Sequence, residues 1–245
     1  MIFNTHYQYI GGGGGGVPQF EYTGQYSFID DGGGNWRIKF LTSGVFTPLK
    51  EMVIDAFLVG GGAAGKGVSW IAYGGSGGFT STVKKIALTK STKYQVIIGA
   101  GGSGNGGAGE ASTGFTGRAE GANATPGQGG SGGAIMKYNG TETKNAGSDG
   151  ANGGSAYSTG QGSTTREFGE STGDLYAGGG GAAYLSGGTS GIIYAKAGAG
   201  GGGGISGLTA LPGEPNTGGG GCGREGTSNN SGAGGSGIVI IRNAR

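Results

Sequence analysis

The sequence has few of the residues on which disulfide frameworks and most catalytic sites depend. Its 245 residues contain one cysteine, Cys222, so an intramolecular disulfide is impossible. A nucleophile activated by histidine would have to use His6, the single histidine, which we expect to be a solvated residue near the start of the chain. Asp30 and Asp31 precede a glycine turn, and a plain turn is favoured there over a calcium site. We therefore expect no catalytic residues, no cofactor and no metal.

Charge and long apolar runs are also scarce. Charged residues make up 12% of the chain and the net charge is +2, which is too balanced for a nucleic-acid-binding protein. No run approaches 18 apolar residues, so we expect no membrane insertion. The start, MIFNTHYQYI, has neither a basic region nor a long apolar region, so we expect no signal peptide.

Proline is rare and glycine is abundant, with 5 and 69 residues respectively. Collagen is excluded because it needs glycine at every third position together with much proline. A flexible linker does not recur as short units between loops of varied composition. The glycine-rich units are 59–67, 73–78, 99–109, 127–133, 147–155, 177–183, 197–204, 217–223 and 232–237.

Strand signals flank these units. In 35–44, Trp36, Ile38 and Phe40 alternate with charged residues, which is the period of a half-buried strand. Other strands are predicted in 21–29, 51–59, 79–88, 93–100 and 236–242, and no segment has a helical period. We expect 236–242 to pair beside 51–59. The chain thus divides into an arm at 1–16, a β-rich framework at 17–99 completed by 236–242, and a glycine-rich body at 100–237.

The glycine units are predicted to form polyglycine II helices, which have three residues per turn and no internal hydrogen bonds. Ordering a residue costs about 1–2 kcal/mol and a hydrogen bond returns only about 1 kcal/mol, so such helices must pack side by side. All-glycine runs should lie at the centre of the bundle, where a side chain has no room. The structural glycines predicted on this basis are Gly179, Gly180, Gly202, Gly203, Gly219 and Gly220.

The predicted fold is therefore mainly β. A small antiparallel β-sheet or sandwich framework closes a bundle of packed polyglycine II helices, without substantial α-helix. Two nucleotide-binding patterns are chance matches in this reading. The G-x-x-x-x-G-K from Gly60 to Lys66 is followed by glycine rather than Ser or Thr, and neither it nor the G-x-G-x-x-G at Gly99 opens a helix.

Several stretches resemble glycine-rich tail and appendage proteins of bacteriophages and prophages. They are YTGQYSFIDDGGGNWRIKFLTSGVFTP, VIDAFLVGGGAAG, GGSGGFTSTVKKIALTKSTKYQVIIGAGG, GQGSTTREFGESTGDLYAGGGG and GGSGIVIIR. A more distant likeness is to the extracellular glycine-rich domain of anaplastic lymphoma kinase. Both groups pack polyglycine II helices, so the resemblance implies the same body here. It also implies a tail-fibre or tail-tip protein of a virion that binds a host-surface polysaccharide or protein.

Recognition is expected on loops, since loops on a stiff scaffold commonly carry it. Each loop aromatic has an alternative reading as cover for the flank of the lattice. Alternating helix directions would place the loops 68–73, 110–126, 156–176 and 205–217 at the end away from the sheet, although this leaves an odd number of helices. The predicted receptor-binding residues are Trp70, Tyr73, Phe115, Arg118, Tyr157, Arg166 and Phe168.

The expected partners are other phage tail proteins, contacted through the N-terminal arm, and the host surface; a homotrimer is possible. Three alternatives remain open at this stage. One is a purely structural virion component, such as a spacer or decoration. Another is an ice-binding protein, although regular Thr or Ala rows are absent. The third is a polysaccharide depolymerase, for which no carboxylate pair is visible in the sequence.

Overall fold

The computed structural model describes residues 17–123, 129–138, 142–145, 160–186, 191–195, 197, 199–202, 205–206, 209–225 and 231–245. The predicted arm at 1–16, Tyr157 and Gly203 lie outside these residues. The described part is mainly β, and its helical structure is a single 3-10 turn at Glu167–Gly169. This confirms the predicted fold class. None of its helices is long and apolar enough for a membrane span.

The strands of the described residues are numbered here in chain order. They are β1 (Phe20–Tyr22), β2 (Tyr26–Gly32), β3 (Asn35–Phe40), β4 (Gly44–Pro48), β5 (Met52–Val59), β6 (Lys66–Val68), β7 (Ile71–Tyr73), β8 (Thr80–Leu88), β9 (Tyr94–Val96), β10 (Ser112–Gly114), β11 (Gly117–Ala119), β12 (Ile135–Tyr138), β13 (Glu142–Asn145), β14 (Ala182–Ser186), β15 (Gly191–Ala195), β16 (Ile205–Ser206), β17 (Thr209–Ala210), β18 (Gly223–Arg224) and β19 (Ile238–Asn243).

The framework is a sandwich of two antiparallel sheets. One has the strand order β2-β3-β19-β5-β8 and the other has the order β1-β4-β9. The last strand, β19, pairs with β3 on one side and with β5 on the other. The pairing with β5 is the one that the sequence predicted. It is buried along most of its length, which explains its run of β-branched residues.

Aromatic side chains fill the space between the two sheets. Phe20 and Phe46 of the small sheet are fully buried, and their ring centroids lie 5.2 Å apart. Phe40 of the large sheet lies 4.6 Å from the ring of Tyr22. The Tyr22 hydroxyl donates a 2.6 Å hydrogen bond to the carbonyl of Thr42, and burial raises the pKa of Tyr22 well above its usual range. The sandwich therefore has an aromatic core, and the buried hydroxyl of Tyr22 has a hydrogen-bond partner.

The other face of the large sheet is covered by residues 165–177, called the strap below. Phe168 and Tyr176 of the strap pack on Phe57, with centroid distances of 5.8 and 5.6 Å. Ile238 and Ile240 of β19 complete this second apolar cluster. The large sheet is thus buried on both faces.

Residues 60–65 leave β5 and form a lattice segment whose hydrogen bonds repeat every third residue. Their N–H groups at 60 and 63 donate to segment 76–79, those at 61 and 64 to segment 107–110, and those at 62 and 65 to segment 232–235. A period of three is the geometry of the polyproline II helix. Because these N–H groups are used by neighbours, the G-x-x-x-x-G-K pattern here is lattice backbone and not a phosphate cradle.

Residues 218–223 form a second lattice segment with the same period. The N–H groups at 220 and 223 donate to carbonyls 178 and 181, while carbonyls 219 and 222 accept from 235 and 232. Carbonyls 218 and 221 accept from 78 and 75. The remaining partners lie at 63, 202 and 211, so this segment bonds to six different stretches of chain. It occupies a central position in the lattice.

Segment 60–65 is equally central, because its carbonyls 61, 62 and 63 accept from three further stretches, at 122, 102 and 221. This corrects one expectation, that central segments are all glycine. Ala63 and Ala64 lie within it, each only 2% exposed. The lattice also begins at Gly60, inside the range 17–99 assigned above to the framework.

The odd helix count has a structural explanation. Gly104 and Gly106 adopt positive φ angles of 70° and 83°, and the chain reverses between them. Gly102 donates to the carbonyl of Gly62, while the carbonyl of Gly107 accepts from Ala64. The unit 99–109 therefore contributes two lattice segments joined by a tight turn, and was counted as one.

Segment 60–65 gives the lattice two ends, which are named here by the residues beside them. The framework end is the end at residue 60, next to β5. The far end is at residue 65, roughly 15 Å away at about 3.1 Å per residue. Two small sheets lie at the far end, with the orders β13-β12-β7-β6 and β15-β14-β18.

Candidate functional site

The hairpin of β6 and β7 carries the most exposed large apolar side chain of the described residues. Trp70 is 64% exposed. Val68 pairs with Ile71, so Ser69 and Trp70 form a two-residue turn at the hairpin tip. Ser69 adopts a φ of 31°, in the positive range that such turns require. The tryptophan ring is therefore presented to solvent by a tight turn at the far end of the lattice.

Strand pairing determines which side chains accompany Trp70. Tyr73 pairs with Lys66, and Ile71 pairs with Val68 and Lys137. Successive strand residues alternate between faces, so these five residues lie on one face of the sheet. All five are partly exposed. We call Trp70 and these five residues the far-end face.

The opposite face of this sheet is buried. Ala72 and Met136 are fully buried and pack with Ala134, Ala182 and Tyr184. The far-end face is thus supported from below by packed side chains and, through β7, by the lattice itself. The turn at 104–106 also holds β6 at the edge of this sheet. Asn105 accepts a 2.7 Å hydrogen bond from the N–H of Gly67 and donates a 3.0 Å bond to its carbonyl.

The structure places Phe115, Arg118, Arg166 and Phe168 elsewhere. Phe115 is 3% exposed and packs on Phe40 and Phe46 in the sandwich core. Burial makes it a core residue, as the alternative reading of the loop aromatics allowed, and removes it from any surface site of this conformation. Arg118, on β11, is exposed and forms an ion pair with Glu120. Both belong to the framework end.

Arg166 and Phe168 belong to the strap, which also lies at the framework end. Phe168 is 5% exposed and is covered by the Arg242 guanidinium, 4.0 Å from its ring centroid. Phe168 is therefore a packing residue of the second apolar cluster, and its predicted role in binding is corrected. Arg166 is half-buried, and its guanidinium donates to the carbonyl of Gly173. Trp70 and Tyr73 therefore lie together at the far end, and Phe115, Arg118, Arg166 and Phe168 lie apart from them at the framework end.

The expected positions of two loops are also corrected. The hairpin 112–119 and the described part of 156–176 lie at the framework end, not at the far end. Two physical reasons account for this. The extra segment in 99–109 reverses the direction assigned to everything after it, and Phe115 and Phe168 bury their rings against the sandwich. The loop 68–73 does lie at the far end.

Ion pairs fix the strap to the large sheet. The Glu167 carboxylate is 2% exposed and receives Arg37 at 2.8 Å and Lys39 at 3.8 Å. Arg242 pairs with Asp55 at 3.2 Å and with Glu170 at 2.7 Å. Burial alone would lower the pKa of Arg37 and of Lys39, but hydrogen bonds to their partners and the negative charge of Glu167 raise both pKa values.

The cleft beside these pairs measures about 220 Å³. Its walls include four carboxylates, those of Asp31, Glu167, Glu170 and Asp174, each of which contacts a basic side chain within 3.2 Å. Ion pairs of Glu167, Glu170 and Asp174 link the strap to the large sheet, and we assign the four carboxylates a structural role.

Five of the predicted structural glycines are among the described residues, and these five lie where neighbouring backbone leaves no space. A Cβ atom added at any of them would fall within 2.2 Å of a carbonyl oxygen of another segment, and real Cβ contacts are essentially never below 3.0 Å. The glycines, with the oxygen met, are Gly179 (Gly132), Gly180 (Gly221), Gly202 (Leu211), Gly219 (Gly200) and Gly220 (Gly75). Cys222 lies among them, fully buried, and burial raises the pKa of its thiol to about 12.

Comparison with protein-family models identifies the family. A model described as a glycine-rich domain matches residues 41–244, and the chain belongs to this family. No curated protein matches the sequence. The matched range starts within the sandwich, takes in the lattice segments and the small far-end sheets, and ends in β19.

The sequence analysis missed the neighbours of Trp70. Lys66, Val68 and Ile71 were visible as the alternation of GKGV and IAY around the dipeptide Ser69-Trp70, which is a short hairpin signal. Lys137 had no such signal, because its place depends on its pairing in β12 with Ile71 of β7, which lies 66 positions earlier in the chain.

Proposed function

We propose that this protein is a tail-fibre or tail-tip component of a phage or prophage virion and binds a host-surface polysaccharide or protein through the far-end face. The observation that carries the proposal is Trp70, exposed at the tip of a hairpin on a rigid lattice. Exposed tryptophan on a braced support is typical of binding surfaces, where a few aromatic residues supply most of the affinity.

The chemistry of the far-end face suits a saccharide or a mixed apolar and polar protein surface. The rings of Trp70 and Tyr73 offer flat apolar faces for stacking, and the tyrosine hydroxyl offers a hydrogen bond. The cations Lys66 and Lys137 lie beside them on the same sheet. A lattice of backbone hydrogen bonds holds this group in place, so little conformational entropy is lost on binding.

The location in a virion rests on the resemblance of the sequence to phage tail and appendage proteins. In this proposal, residues 1–16 attach the protein to other tail proteins, and the far-end face points away from the attachment. The genes on either side of this one test the location. Tail or baseplate genes there would support it, and an unrelated neighbourhood would contradict it.

Binding is tested with labelled protein on intact cells from a panel of bacterial strains, measured by flow cytometry. For a strain that binds, we expect Trp70→Ala to weaken binding about 30-fold, since a central tryptophan contributes about 2 kcal/mol and each 1.4 kcal/mol is tenfold. Ile97→Ala is the matched control, because Ile97 is 45% exposed near the sandwich. Equal binding by wild type and Trp70→Ala would refute the assignment of this face. It would favour a purely structural component.

A further inference from the structure

A second cleft lies at the framework end, between the edge strand β8 and the segment that enters the strap. It measures about 390 Å³, which is within the range of small-molecule sites. Most of its lining residues carry polar side chains, and they include a single aromatic ring, that of Phe168. The lining residues are Thr80, Thr82, Lys84, Gln161, Ser163, Thr164, Arg166, Phe168 and Gly169.

Charge distinguishes this cleft from the cleft beside the strap, whose walls include four carboxylates. Lys84 and Arg166 are its charged residues, and among the described residues neither has a carboxylate within 4.0 Å. By contrast, Arg37, Arg118 and Arg242 each pair with a carboxylate. The cleft therefore carries two unneutralised positive charges and no negative one.

The hydroxyl groups of the cleft are oriented by hydrogen bonds that they accept. The Gln161 amide donates to Thr80 Oγ1 at 2.7 Å and to Ser163 Oγ at 3.1 Å. The N–H of Arg166 donates to Thr164 Oγ1 at 3.2 Å. The hydroxyl oxygens of Thr80, Ser163 and Thr164 each accept a bond, and no acceptor for their O–H protons is found in the described part of the chain. These protons are left to donate to a ligand.

Gln161 also fixes the shape of the cleft. Its Oε1 accepts the N–H of Thr80 at 2.8 Å, while its amide group donates to Ser163 Oγ. The Gln161 side chain thus links β8 to the residues that precede the strap. Thr80, Thr82 and Lys84 alternate along β8 and so line the same face of it.

We propose that this cleft binds an anionic saccharide, a sugar bearing a phosphate or a carboxylate. Lys84 and Arg166 bind the oxyanion, and the hydroxyls of Thr80, Thr82, Ser163 and Thr164 donate to ring and substituent oxygens. Charge-assisted hydrogen bonds from arginine and lysine supply most of the affinity. The cleft is at the opposite end of the lattice from Trp70, so this proposal stands whether or not the far-end face binds a host receptor.

The test is an NMR titration of backbone amides with glucose 6-phosphate, glucose and inorganic phosphate. Glucose 6-phosphate is expected to shift the amides of 80–84 and 161–169 in a saturable manner, whereas glucose is not. Lys84→Gln and Arg166→Gln should each raise the Kd at least about tenfold, since hydrogen bonds to charged groups are the stronger class. Lys93→Gln removes an exposed lysine outside the cleft and should leave the Kd unchanged.

Thr82→Val keeps a β-branched residue on the edge strand and removes one hydroxyl, so it tests the cleft without loosening the strap. A rise in its Kd supports the proposal. Three results would overturn it: no shift at 80–84, unchanged binding in both charge variants, or equal weakening by Lys93→Gln. Inorganic phosphate binding as tightly as glucose 6-phosphate would overturn the assignment of a saccharide.

Discussion

Replacing Gly220 by alanine tests whether the lattice is a packed solid or a loose collection of loops. Gly220 lies in the central segment 218–223. The added Cβ would fall 1.9 Å from the carbonyl oxygen of Gly75, 2.4 Å from its carbonyl carbon and 2.9 Å from the nitrogen of Gly180. All three are backbone atoms, so no side chain can rotate away. One segment must move by roughly 1 Å to reach an ordinary contact.

The size of the effect follows from the bonds around that position. Overpacking a well-packed interior costs about 1–3 kcal/mol. Three lattice bonds depend on the same position: Gly180 to Gly75 at 2.8 Å, Gly220 to Gly178 at 2.9 Å and Gly202 to Gly220 at 2.8 Å. Weakening them adds about 0.5–1 kcal/mol each. We expect Gly220→Ala to lower the free energy of unfolding by roughly 3–6 kcal/mol.

Thermal unfolding followed by calorimetry measures this loss. For a chain of this length each kcal/mol lowers Tm by about 2–4 °C, so a fall of roughly 6–24 °C is expected. Gly114→Ala is the matched control, because its Cβ would meet nothing closer than 3.6 Å. That variant should be neutral or slightly stabilising, since alanine restricts the unfolded chain. If Gly220→Ala melts within about 3 °C of wild type, or if Gly114→Ala costs as much, the reasoning fails.

Three further predictions concern buried and charged groups. The Cys222 thiol, fully buried and with its pKa raised to about 12, should not react with a thiol reagent at pH 8 until the protein is unfolded, and stoichiometric labelling of native protein would contradict its lattice position. Asp55→Ala leaves the buried Arg242 without its buried partner and should lower the free energy of unfolding by about 3–5 kcal/mol, measured by denaturant unfolding. Glu170→Ala removes a half-exposed partner of the same arginine and should cost less than about 1 kcal/mol. Equal losses would show that burial does not set the difference. Burial alone would raise the pKa of Asp31, but hydrogen bonds from two arginines lower it below its usual value. The stabilising contribution of Asp31 is therefore complete above about pH 4 and is lost as the pH falls through the lowered pKa. The Tm difference between wild type and Asp31→Asn should therefore shrink in acid and at high salt, and a difference that grows in acid would reverse this sign.

The framework was largely predictable because its strands carry local signals. Trp36, Ile38 and Phe40 alternate with charged residues, and the alternation is the pattern of burial in β3. The partner of β19 could also be inferred, since an apolar β-branched strand needs a buried place. The lattice followed from energetics, because glycine segments without internal hydrogen bonds are stable only when neighbours supply them.

The arrangement of the lattice was not predictable in the same way. A glycine-rich segment has no periodicity that reveals where it turns, so the reversal at Gly104 and Gly106 went uncounted. Ala63 and Ala64 show that a methyl group fits at some central positions, and which positions these are depends on neighbours far away in sequence. Gly220, by contrast, has a neighbouring carbonyl in the way.

The candidate site was predictable in part. Trp70 and Tyr73 flank a short turn, and the turn places them together. Phe115 and Phe168 are aromatic residues in loops, as Trp70 is, yet they are buried. Their partners, Phe40 and Phe57, lie in strands distant in sequence, so no local pattern separates a ring that packs from a ring that is exposed.

The position of β19 has a consequence for how the protein is made. This strand lies between β3 and β5, and the segment before it, 232–235, bonds to both central lattice segments. Neither the large sheet nor the lattice can close until residues 232–243 have been synthesised. During translation β3 and β5 must therefore wait for the strand that lies between them, so completion of the large sheet is a late step and its open edges are exposed to aggregation until then.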